Sequence, residues 1–353
     1  MQLADYQFEL PPELIAQEPV EPRDAARLLL APPDGGAVEH RVFRELPELL
    51  REGDLLVMND TRVEPARFYG RRATGGRVEL LLLQREGARA RALTRSRRSL
   101  RPGELVPLDG GTLLARFLAR GEDGAAEVEL ELAPGASSTL EEELRRTGHV
   151  PLPPYIHRGE DGDPRETSDR ERYQTVYARS PGSVAAPTAG LHFTPELLER
   201  LRQRGVASAF VTLHVGRGTF EPMRTERVEE HRMHAEWGEL SAETAERIAA
   251  TRASGGRVIA VGTTSARVLE SARRASGAAR PWSGWTELFL KPGDEVAAFD
   301  GLITNFHLPQ STLLLLVAAL IGRERLFELY RLAIERGYRF YSYGDAMLVW
   351  PPR

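Results

Sequence analysis

The pattern of apolar residues changes twice along this 353-residue chain, and that change limits the folds it can adopt. From residue 67 to residue 132 the apolar residues form short β-like runs, separated by glycine-rich turns, at 76–83, 90–94, 113–118 and 126–132. Short strands at this spacing favour a small barrel. In the rest of the chain, strands alternate with helices, which indicates a mixed sheet. We therefore predict an α/β fold: a large mixed domain, residues 1–66 and 151–353, with an inserted small β-barrel domain, residues 67–150.

Individual elements of the α/β part follow from apolar spacing and capping residues. Strands are predicted at 54–58, 206–215, 258–261, 287–290 and 301–304, and those at 54–58 and 258–261 are predicted to be buried. Helices are predicted at 195–205, from 241 to about 255, from about 265, at 311–322 and at 323–337. Thr194 has the character of an N-cap, with Pro195 at the first helical position. The segment 159–172 is rich in charged residues and is predicted to be an exposed loop.

Several polar segments interrupt the α/β part. They are rich in Gly, Thr, Ser and His and lie at 182–194, 211–220, 230–236, 261–267, 303–309 and 341–347. Five of the eight histidines fall within them. Glycine lets the backbone approach a ligand closely, and histidine titrates near neutral pH. A single segment of this kind is equally typical of an ordinary surface loop and of a functional site. Several such segments on one scaffold are typical of a binding or catalytic site.

Two of these segments follow predicted strands. Residues 258–265 read as a strand, a tight turn and a helix N-terminus, where free backbone N–H groups attract an anion. Thr263, Thr264 and Ser265 add hydroxyl donors, although Thr264 or Ser265 would also serve as a simple helix cap. Asn305 and Phe306 lie in a second turn of the same kind. Ligands of α/β sheets bind at such strand ends.

Metal and thiol chemistry are not expected. The chain has no cysteine, which excludes disulfides, thiolate metal sites and a cysteine nucleophile. His231 and His234 are three residues apart and suit one helix face, but Glu236 would not share that face. We therefore predict no metal site.

Charge is distributed unevenly. The formal net charge is −4, and Lys291 is the only lysine, so arginine supplies nearly all positive charge. An arginine-rich block between residues 85 and 101 includes Arg95, Arg97 and Arg98. Such a block can contact phosphates even in an acidic chain, although arginines on a strand face are often only solvated.

The N-terminus and the longest apolar run bear on location. The first ten residues lack the basic start and apolar run of a signal peptide. The longest apolar run, 313–321, is too short to span a bilayer. We expect a cytoplasmic, soluble protein with no membrane partner.

In their order along the chain, the polar segments resemble those of the S-adenosylmethionine:tRNA ribosyltransferase-isomerase family of queuosine biosynthesis. The resemblance extends to motifs nearer the N-terminus, at 5–11, 14–17, 23–24, 53–63, 65–67 and 151–156. Only the interior from about residue 68 to residue 150 is weakly similar. These motifs are long and nearly unique to that family.

The resemblance implies a specific reaction. The ribosyl moiety of S-adenosylmethionine is transferred to 7-aminomethyl-7-deazaguanine at the wobble position of tRNA and isomerised. The product is epoxyqueuosine-tRNA, and adenine and methionine are released. S-adenosylmethionine is then a consumed substrate, so no cofactor is expected. The partners are the modified tRNA and S-adenosylmethionine, and a monomer is expected.

The reaction needs a base to remove a ribose proton that the sulfonium acidifies. The candidates for this acid–base chemistry are His192, His214, His234, Glu236 and His307. His192 is preferred and His214 is second, because a helix N-terminus just after His192 would lower its pKa and keep the imidazole neutral. Glu236 would serve if burial raises its pKa.

Substrate-binding candidates come from the same segments. They are Asn59, Asp60, Thr61, Arg62, Thr188, Gly190, Gly216, Thr219, Phe220, Gly262, Thr263, Thr264, Ser265, Asn305, Phe306, Tyr343 and Asp345. The turn at 262–265 would bind either a tRNA phosphate or the methionine carboxylate of S-adenosylmethionine. Aromatic residues among the candidates would stack on adenine or the modified base, although each is individually typical of core packing. Arg95, Arg97 and Arg98 are the tRNA-binding candidates.

Two other classes of function compete with this one. A conventional S-adenosylmethionine-dependent tRNA methyltransferase would carry a glycine-rich strand–loop–helix near its N-terminus, which is not recognisable here. A non-catalytic RNA-binding protein using the β-barrel alone would leave the His- and Thr-rich loops unexplained.

Overall fold

A computed structural model describes residues 1–32, 36–121, 124–159, 163–216, 223 and 225–351. These residues form two compact units. The first unit comprises residues 1–62, 153–157 and 172–353, and the second comprises residues 63–152 and 158–171. The second unit therefore starts four residues before the predicted insert, ends two residues after it, and also contains 158–171.

In chain order, the strands are β1 (Arg27–Ala31), β2 (Glu39–Val42), β3 (Leu55–Asn59), β4 (Thr61–Val63), β5 (Arg67–Arg71), β6 (Arg77–Glu86), β7 (Arg89–Ser96), β8 (Leu105–Pro107), β9 (Leu113–Arg120), β10 (Ala126–Leu132), β11 (Ser180–Ser183), β12 (Ala207–Leu213), β13 (Glu236–Leu240), β14 (Val258–Val261), β15 (Trp282–Thr286), β16 (Gly301–Asn305) and β17 (Ala346–Val349). The α-helices are α1 (Leu46–Leu49), α2 (Leu140–Thr147), α3 (Glu166–Arg172), α4 (Pro195–Gln203), α5 (Ala242–Ala253), α6 (Gly262–Ser276), α7 (Thr312–Ile321) and α8 (Arg323–Glu335). Short 3-10 helices lie at Leu3–Tyr6, Pro12–Leu14, Arg23–Ala25, Phe43–Glu45, Thr188–His192 and Val228–Glu230.

The first unit is built on a nine-stranded mixed sheet in the order β15-β13-β12-β3-β14-β16-β17-β1-β2. The four central strands β12, β3, β14 and β16 are parallel to one another. Outside them, β13 and β15 are antiparallel on one side, and β17 runs antiparallel to β16 on the other. The carboxyl ends of the four parallel strands therefore meet at one edge of the sheet.

Burial on both faces explains why the central strands are continuous apolar runs. Every residue of β3, β14 and β16 is buried. One face packs in a core cluster with residues of α5, α6, α7 and α8, and the other packs in a second cluster with residues of α1 and α4. Parallel strands covered on both faces have this composition. The predicted mixed α/β fold is confirmed.

Helix boundaries follow their capping residues closely. Thr194 accepts a hydrogen bond from the Leu197 N–H at 3.1 Å, with Pro195 next in the chain, and α4 begins as predicted. Ser241 caps α5 in the same way, through the Thr244 N–H. Side-chain caps satisfy backbone donors that a helix start leaves unpaired, so these residues mark boundaries in the sequence.

One predicted element of the α/β part is wrong, and one predicted helix starts earlier than expected. Residues 287–290 are not a strand; the strand is β15, which ends at Thr286, and the Leu288 carbonyl instead accepts a hydrogen bond from Arg267 Nε at 3.1 Å. Helix α6 begins at Gly262 rather than near Ser265, directly after β14. Of residues 287–290 only Leu290 is buried, and the apolar run does not reveal that the paired strand precedes it.

The second unit contains a six-stranded antiparallel sheet in the order β5-β6-β7-β10-β9-β8. A bridge between Gly70 and Leu108 brings β5 back to the end of β8, so the sheet nearly closes. A Cβ atom on Gly70 would lie 2.5 Å from the Pro107 carbonyl oxygen, so only glycine fits at this closure. The predicted inserted β-barrel is confirmed.

The segment 159–172 is not an exposed loop throughout. Residues 160–162 lie outside the described residues, but α3 begins at Glu166. Asp169 of α3 is buried and accepts hydrogen bonds from Arg158 Nε at 2.6 Å and Nη2 at 2.7 Å. A buried ion pair of this kind looks like surface charge in the sequence. No helix of the described residues is both long and apolar enough to cross a membrane.

Candidate active site

A cleft in the first unit lies at the carboxyl ends of β14 and β16. It encloses about 650 Å³ between atoms, including the part open to solvent. Its walls are formed by Tyr155, Ala186, Pro187, Thr188, Ala189, Val215, Gly262, Thr263, Thr264, Thr304, Asn305, Phe306, His307, Leu308, Ser311, Leu313, Tyr341 and Ser342. Parallel α/β sheets bind ligands at this edge.

One wall of the cleft is the N-terminus of α6. Strand β14 passes directly into this helix through Gly262, whose φ of +84° favours glycine. The helix has no side-chain cap, so its first N–H groups are not paired by one. Thr264 Oγ1 is buried without a hydrogen-bond partner within the described residues. The arrangement favours an anion beside Thr263 and Thr264.

The capping alternative for this turn is wrong. Thr264 and Ser265 lie inside α6, beyond the cap position. Ser265 Oγ instead donates to the Val261 carbonyl at 2.8 Å, and Ser265 is fully buried. Of the three predicted hydroxyls, those of Thr263 and Thr264 belong to cleft residues, and that of Ser265 is used within the protein.

His307 is the histidine that lines the cleft among the described residues. Its Nε2 lies 2.8 Å from Thr304 Oγ1, and its backbone N–H donates to Tyr330 OH at 2.8 Å. Burial lowers the pKa of His307 to about 3. The imidazole is therefore neutral at pH 7, with its ring fixed by a hydroxyl at the base of the cleft.

Sequence reasoning missed the aromatic wall of the cleft. Tyr155 donates to or accepts from Ser342 Oγ at 2.7 Å, and its ring lies 4.6 Å from that of Tyr341. Tyr341 has a φ of +72°, unusual for a residue with a large side chain, and Asn305 Nδ2 donates to its carbonyl at 2.9 Å. Backbone strain of this kind concentrates at functional sites. Both tyrosines lie in motifs that the sequence does single out, at 151–156 and 341–347, but the residue predicted there is Tyr343.

His192 lies in the core rather than on a cleft wall. It is buried, and its ring is 4.9 Å from the ring of Phe43. Its pKa is lowered to about 3, mainly by burial and then by the charges of Arg339 and Arg23. The predicted neutral imidazole is present, but burial rather than a helix dipole is the main cause.

Residues 59–62, predicted to bind substrate, mainly form contacts between strands. Asn59 is fully buried. Its side-chain amide accepts a hydrogen bond from the Leu213 N–H at 3.0 Å and donates one to the Leu213 carbonyl at 3.1 Å. Asp60 accepts from Arg179 Nε at 2.6 Å, and Thr61 Oγ1 lies 3.0 Å from His214 Nδ1. Arg62 is exposed. These residues lie at the carboxyl ends of β3 and β12, and none is among the cleft residues that the structure describes.

Glu236 is also engaged inside the protein. It is buried and forms an ion pair with buried Arg267, and it accepts from the Gly216 N–H at 2.7 Å. Residues 231–235 are not helical, so the reasoning from a helix face does not apply to His231 and His234. His231 packs against Phe289, and His234 is exposed. Within the described residues, no group of three His, Asp or Glu side chains is placed to hold a metal ion.

The remaining predicted residues divide between the cleft and the core. Thr188, Gly262, Asn305 and Phe306 line the cleft. The others are buried elsewhere: Gly190 against Tyr177, Tyr343 edge-on to Tyr173, and Asp345 accepting from the N–H groups of Arg27 and Arg339. Thr219 and Phe220 lie outside the described residues. Arg95, Arg97 and Arg98 are exposed on β7 and just beyond it, in the second unit.

Comparison with known proteins identifies the class to which this fold and cleft belong. The family model described as "Queuosine biosynthesis protein" matches residues 3–349. The chain belongs to this family of queuosine biosynthesis proteins.

Individual relatives have a more specific description than the family model. The chain is 51% identical over 352 residues to an S-adenosylmethionine:tRNA ribosyltransferase-isomerase of Pelobacter propionicus, covering 99% of this chain and 100% of the relative. It is 54% identical over 353 residues to one of Anaeromyxobacter sp., covering 99% of each. A crystal structure of S-adenosylmethionine tRNA ribosyltransferase from Thermotoga maritima matches with a TM-score of 0.55 and 38% identity, over 98% of this chain and 99% of that one.

The low pKa of His192 predicts a pH dependence of stability. The unfolded chain takes up a proton at this side chain below pH of about 6.5, whereas the folded protein does so only near pH 3. Stability from His192 is therefore complete above about pH 6.5 and is lost as the pH falls towards 3. Between pH 6.5 and pH 5 this loss is about 2 kcal/mol. We expect His192→Gln to flatten the decline of the free energy of unfolding over this range.

Chemical denaturation at several pH values measures this effect. His157→Gln, at an exposed histidine, is the matched control and should keep the wild-type slope. Equal slopes for wild type and His192→Gln would contradict the assignment. The absolute stability of the variant does not enter the comparison.

Proposed function

We propose that this protein transfers and isomerises the ribosyl moiety of S-adenosylmethionine onto 7-aminomethyl-7-deazaguanine at the wobble position of tRNA. The products are epoxyqueuosine-tRNA, adenine and methionine. Family membership over nearly the whole chain supports this reaction. The observation on which the proposal mainly depends is the cleft at the carboxyl edge of the sheet, where an uncapped helix N-terminus, a neutral histidine and two tyrosines converge.

Each part of S-adenosylmethionine has a matching wall in this cleft. We place the methionine carboxylate at the N-terminus of α6, beside Thr263 and Thr264, because the helix dipole and free N–H groups favour an anion there. The rings of Tyr155 and Tyr341 provide faces for adenine and attract the sulfonium cation. The apolar side chains of Ala186, Pro187 and Ala189 exclude water from the reacting carbons.

We assign the ribose proton to His307 rather than to His192. The His307 ring lines the cleft, is neutral and is held by Thr304. Burial makes it a weak base in the free enzyme, but the carboxylate of a bound substrate stabilises the imidazolium and raises its pKa. Nearby hydroxyls can donate hydrogen bonds to the leaving adenine.

Product analysis tests the reaction itself. With tRNA carrying 7-aminomethyl-7-deazaguanine, the enzyme should release adenine and methionine in equal amounts and leave the ribose carbons of S-adenosylmethionine on the RNA. The same tRNA with guanine at the wobble position is the control and should give neither product. Formation of S-adenosylhomocysteine would contradict the proposal and indicate a methyltransferase.

Single-turnover kinetics test the base. With both substrates saturating, we expect His307→Gln to lower the chemical rate about a hundredfold or more, while S-adenosylmethionine binding stays near normal. His192→Gln is the matched comparison, because that histidine is equally buried but does not line the cleft. If His192→Gln loses the rate and His307→Gln keeps it, the two roles are reversed.

The second unit is proposed to help hold the tRNA. Arg95, Arg97 and Arg98 are exposed there, and arginines bind phosphates with release of counterions. Replacing all three by alanine should weaken tRNA binding and reduce the slope of log affinity against log salt by about one for each phosphate that is no longer bound.

A variant of equal charge change is the control for this arginine cluster. Replacing the exposed Arg202, Arg204 and Arg247 of the first unit should leave the salt slope nearly unchanged. Titrations of labelled tRNA at several salt concentrations measure both variants. Equal slopes for wild type and the Arg95, Arg97, Arg98 variant would remove these residues from the tRNA-binding surface.

We further propose that the enzyme acts as a monomer in the cytoplasm, where its tRNA substrate is found. S-adenosylmethionine is consumed as a substrate, and the proposed chemistry uses only side chains and helix N–H groups. No metal or cofactor is required by this mechanism.

A further inference from the structure

Three neighbouring strands at one edge of the nine-stranded sheet present aromatic rings on the same face. Trp285 of the edge strand β15 is 61% exposed, more than any other large apolar residue of the described chain. Trp237 of β13 lies directly opposite it in the antiparallel register. His214, just after β12, follows in the same row, because its N–H donates to the Trp237 carbonyl at 2.9 Å. We call His214, Trp237 and Trp285 the aromatic platform.

The opposite face of the same strands is the core. Glu236, Gly238 and Leu240 alternate with Trp237 along β13 and are buried. Successive side chains of a strand point to opposite faces, so Trp237 lies on the solvent side with Trp285. An exposed tryptophan on an unpaired edge strand promotes aggregation, which makes it an unfavourable residue there unless it has a partner.

Two rings of the aromatic platform pack on each other and hold its inner end in place. The His214 and Trp237 rings are 5.4 Å apart and only 19° from parallel. The Thr61 hydroxyl, 3.0 Å from His214 Nδ1, fixes the orientation of the imidazole. One side of the imidazole lies against Trp237 and the other lies against Gly182, so the exposed ring of the platform is that of Trp285. Exposed aromatic rings are surfaces on which unpaired nucleobases stack.

A cation lies on the same face of the sheet. The guanidinium carbon of Arg179 lies 4.6 Å from the centre of the Phe210 ring. Phe210 precedes Thr212 by two residues and His214 by four, so it lies on the same side of β12 as they do. The Arg179 side chain is 63% exposed, although Asp60 accepts a hydrogen bond from its Nε. A guanidinium beside aromatic rings suits a phosphate-linked chain of bases.

The chain segment that carries His214 also reaches the cleft. Val215, the residue after His214, lines the cleft, and its N–H donates to Ser183 Oγ at 3.0 Å.

We propose that the aromatic platform binds unpaired nucleotides of the tRNA anticodon loop next to the modified base, by stacking on the exposed ring of Trp285, beside which Trp237 and His214 lie in the same row. The inference rests on the proposed function, since it takes the RNA substrate from it. The occupant is single-stranded RNA rather than a duplex, because bases in a duplex have no free faces. The platform orients the loop so that the wobble base reaches the cleft.

Substitutions of Trp285 test this role. The probe is a fluorescently labelled anticodon stem–loop RNA, and the full-length protein is titrated against it. Trp285→Ala should weaken binding about tenfold, and Trp285→Phe should restore most of the affinity, because stacking on an aromatic face contributes about 1–3 kcal/mol per base. Trp285→Leu, which is apolar but has no π face, should resemble the alanine variant.

The controls separate stacking from other effects. Ser283→Ala changes an exposed residue of the same strand and should bind like wild type. Binding of S-adenosylmethionine in the absence of RNA should be unchanged in Trp285→Ala, since no residue of the cleft is altered. Thermal melting checks that each variant is folded.

Three results would overturn the inference. They are wild-type RNA affinity in folded Trp285→Ala, equal affinity of the leucine and phenylalanine variants, and self-association of wild type that Trp285→Ala abolishes in sedimentation velocity. The last would assign the surface to a second copy of the chain. Because binding is measured without turnover, failure of the ribosyl-transfer reaction leaves this test valid: weaker RNA binding by Trp285→Ala supports the platform even if the reaction differs.

Discussion

The buried amide of Asn59 sets the geometry on which the rest of the first unit depends. The parallel ladder between β3 and β12 ends where Val211 pairs with Asn59. Beyond that point the Asn59 side chain replaces the backbone, because it bonds both the N–H and the carbonyl of Leu213. Its Oδ1 also accepts from the Thr61 N–H at 3.1 Å. One side chain thus fixes where β3 ends, where the chain turns into β4, and where His214 and Val215 emerge.

The chemistry of the cleft follows from the same edge of the sheet. Because β14 enters α6 without a loop, the positive end of the helix dipole and the hydroxyls of its first turn are brought directly to the strand end. The adjacent strand β16 delivers Asn305 and His307 by the same geometry. Burial then removes water, which strengthens each of these dipoles and keeps the imidazole neutral.

Much of this architecture could be predicted from the sequence, because it depends on local patterns of residues. Alternating apolar runs specified the barrel, and Thr194 and Ser241 marked helix starts. Strands β1, β2 and β17 were missed, since their identity depends on pairing with residues far away in the chain: Leu28 with Ala346, for example. The site was recovered only in part for the same reason. Asn59 and Tyr341 both lie in recognisable motifs. Non-local packing decides that the Asn59 side chain bonds the backbone of a neighbouring strand and that Tyr341 lines the cleft.

His192 and His307 show why residue type alone does not assign a role. Both are buried, and the pKa of each is lowered to about 3, so neither titration nor burial separates them. What separates them is the environment of each ring. His192 packs on Phe43 and contacts Asn305 from outside the cleft lining, whereas His307 lines the cleft itself, with its Nε2 2.8 Å from Thr304 Oγ1. A general base must reach the proton that it removes, so geometry takes precedence over basicity in choosing between them. The position of His307 at a strand end, rather than its sequence context, is therefore what qualifies it for acid–base chemistry.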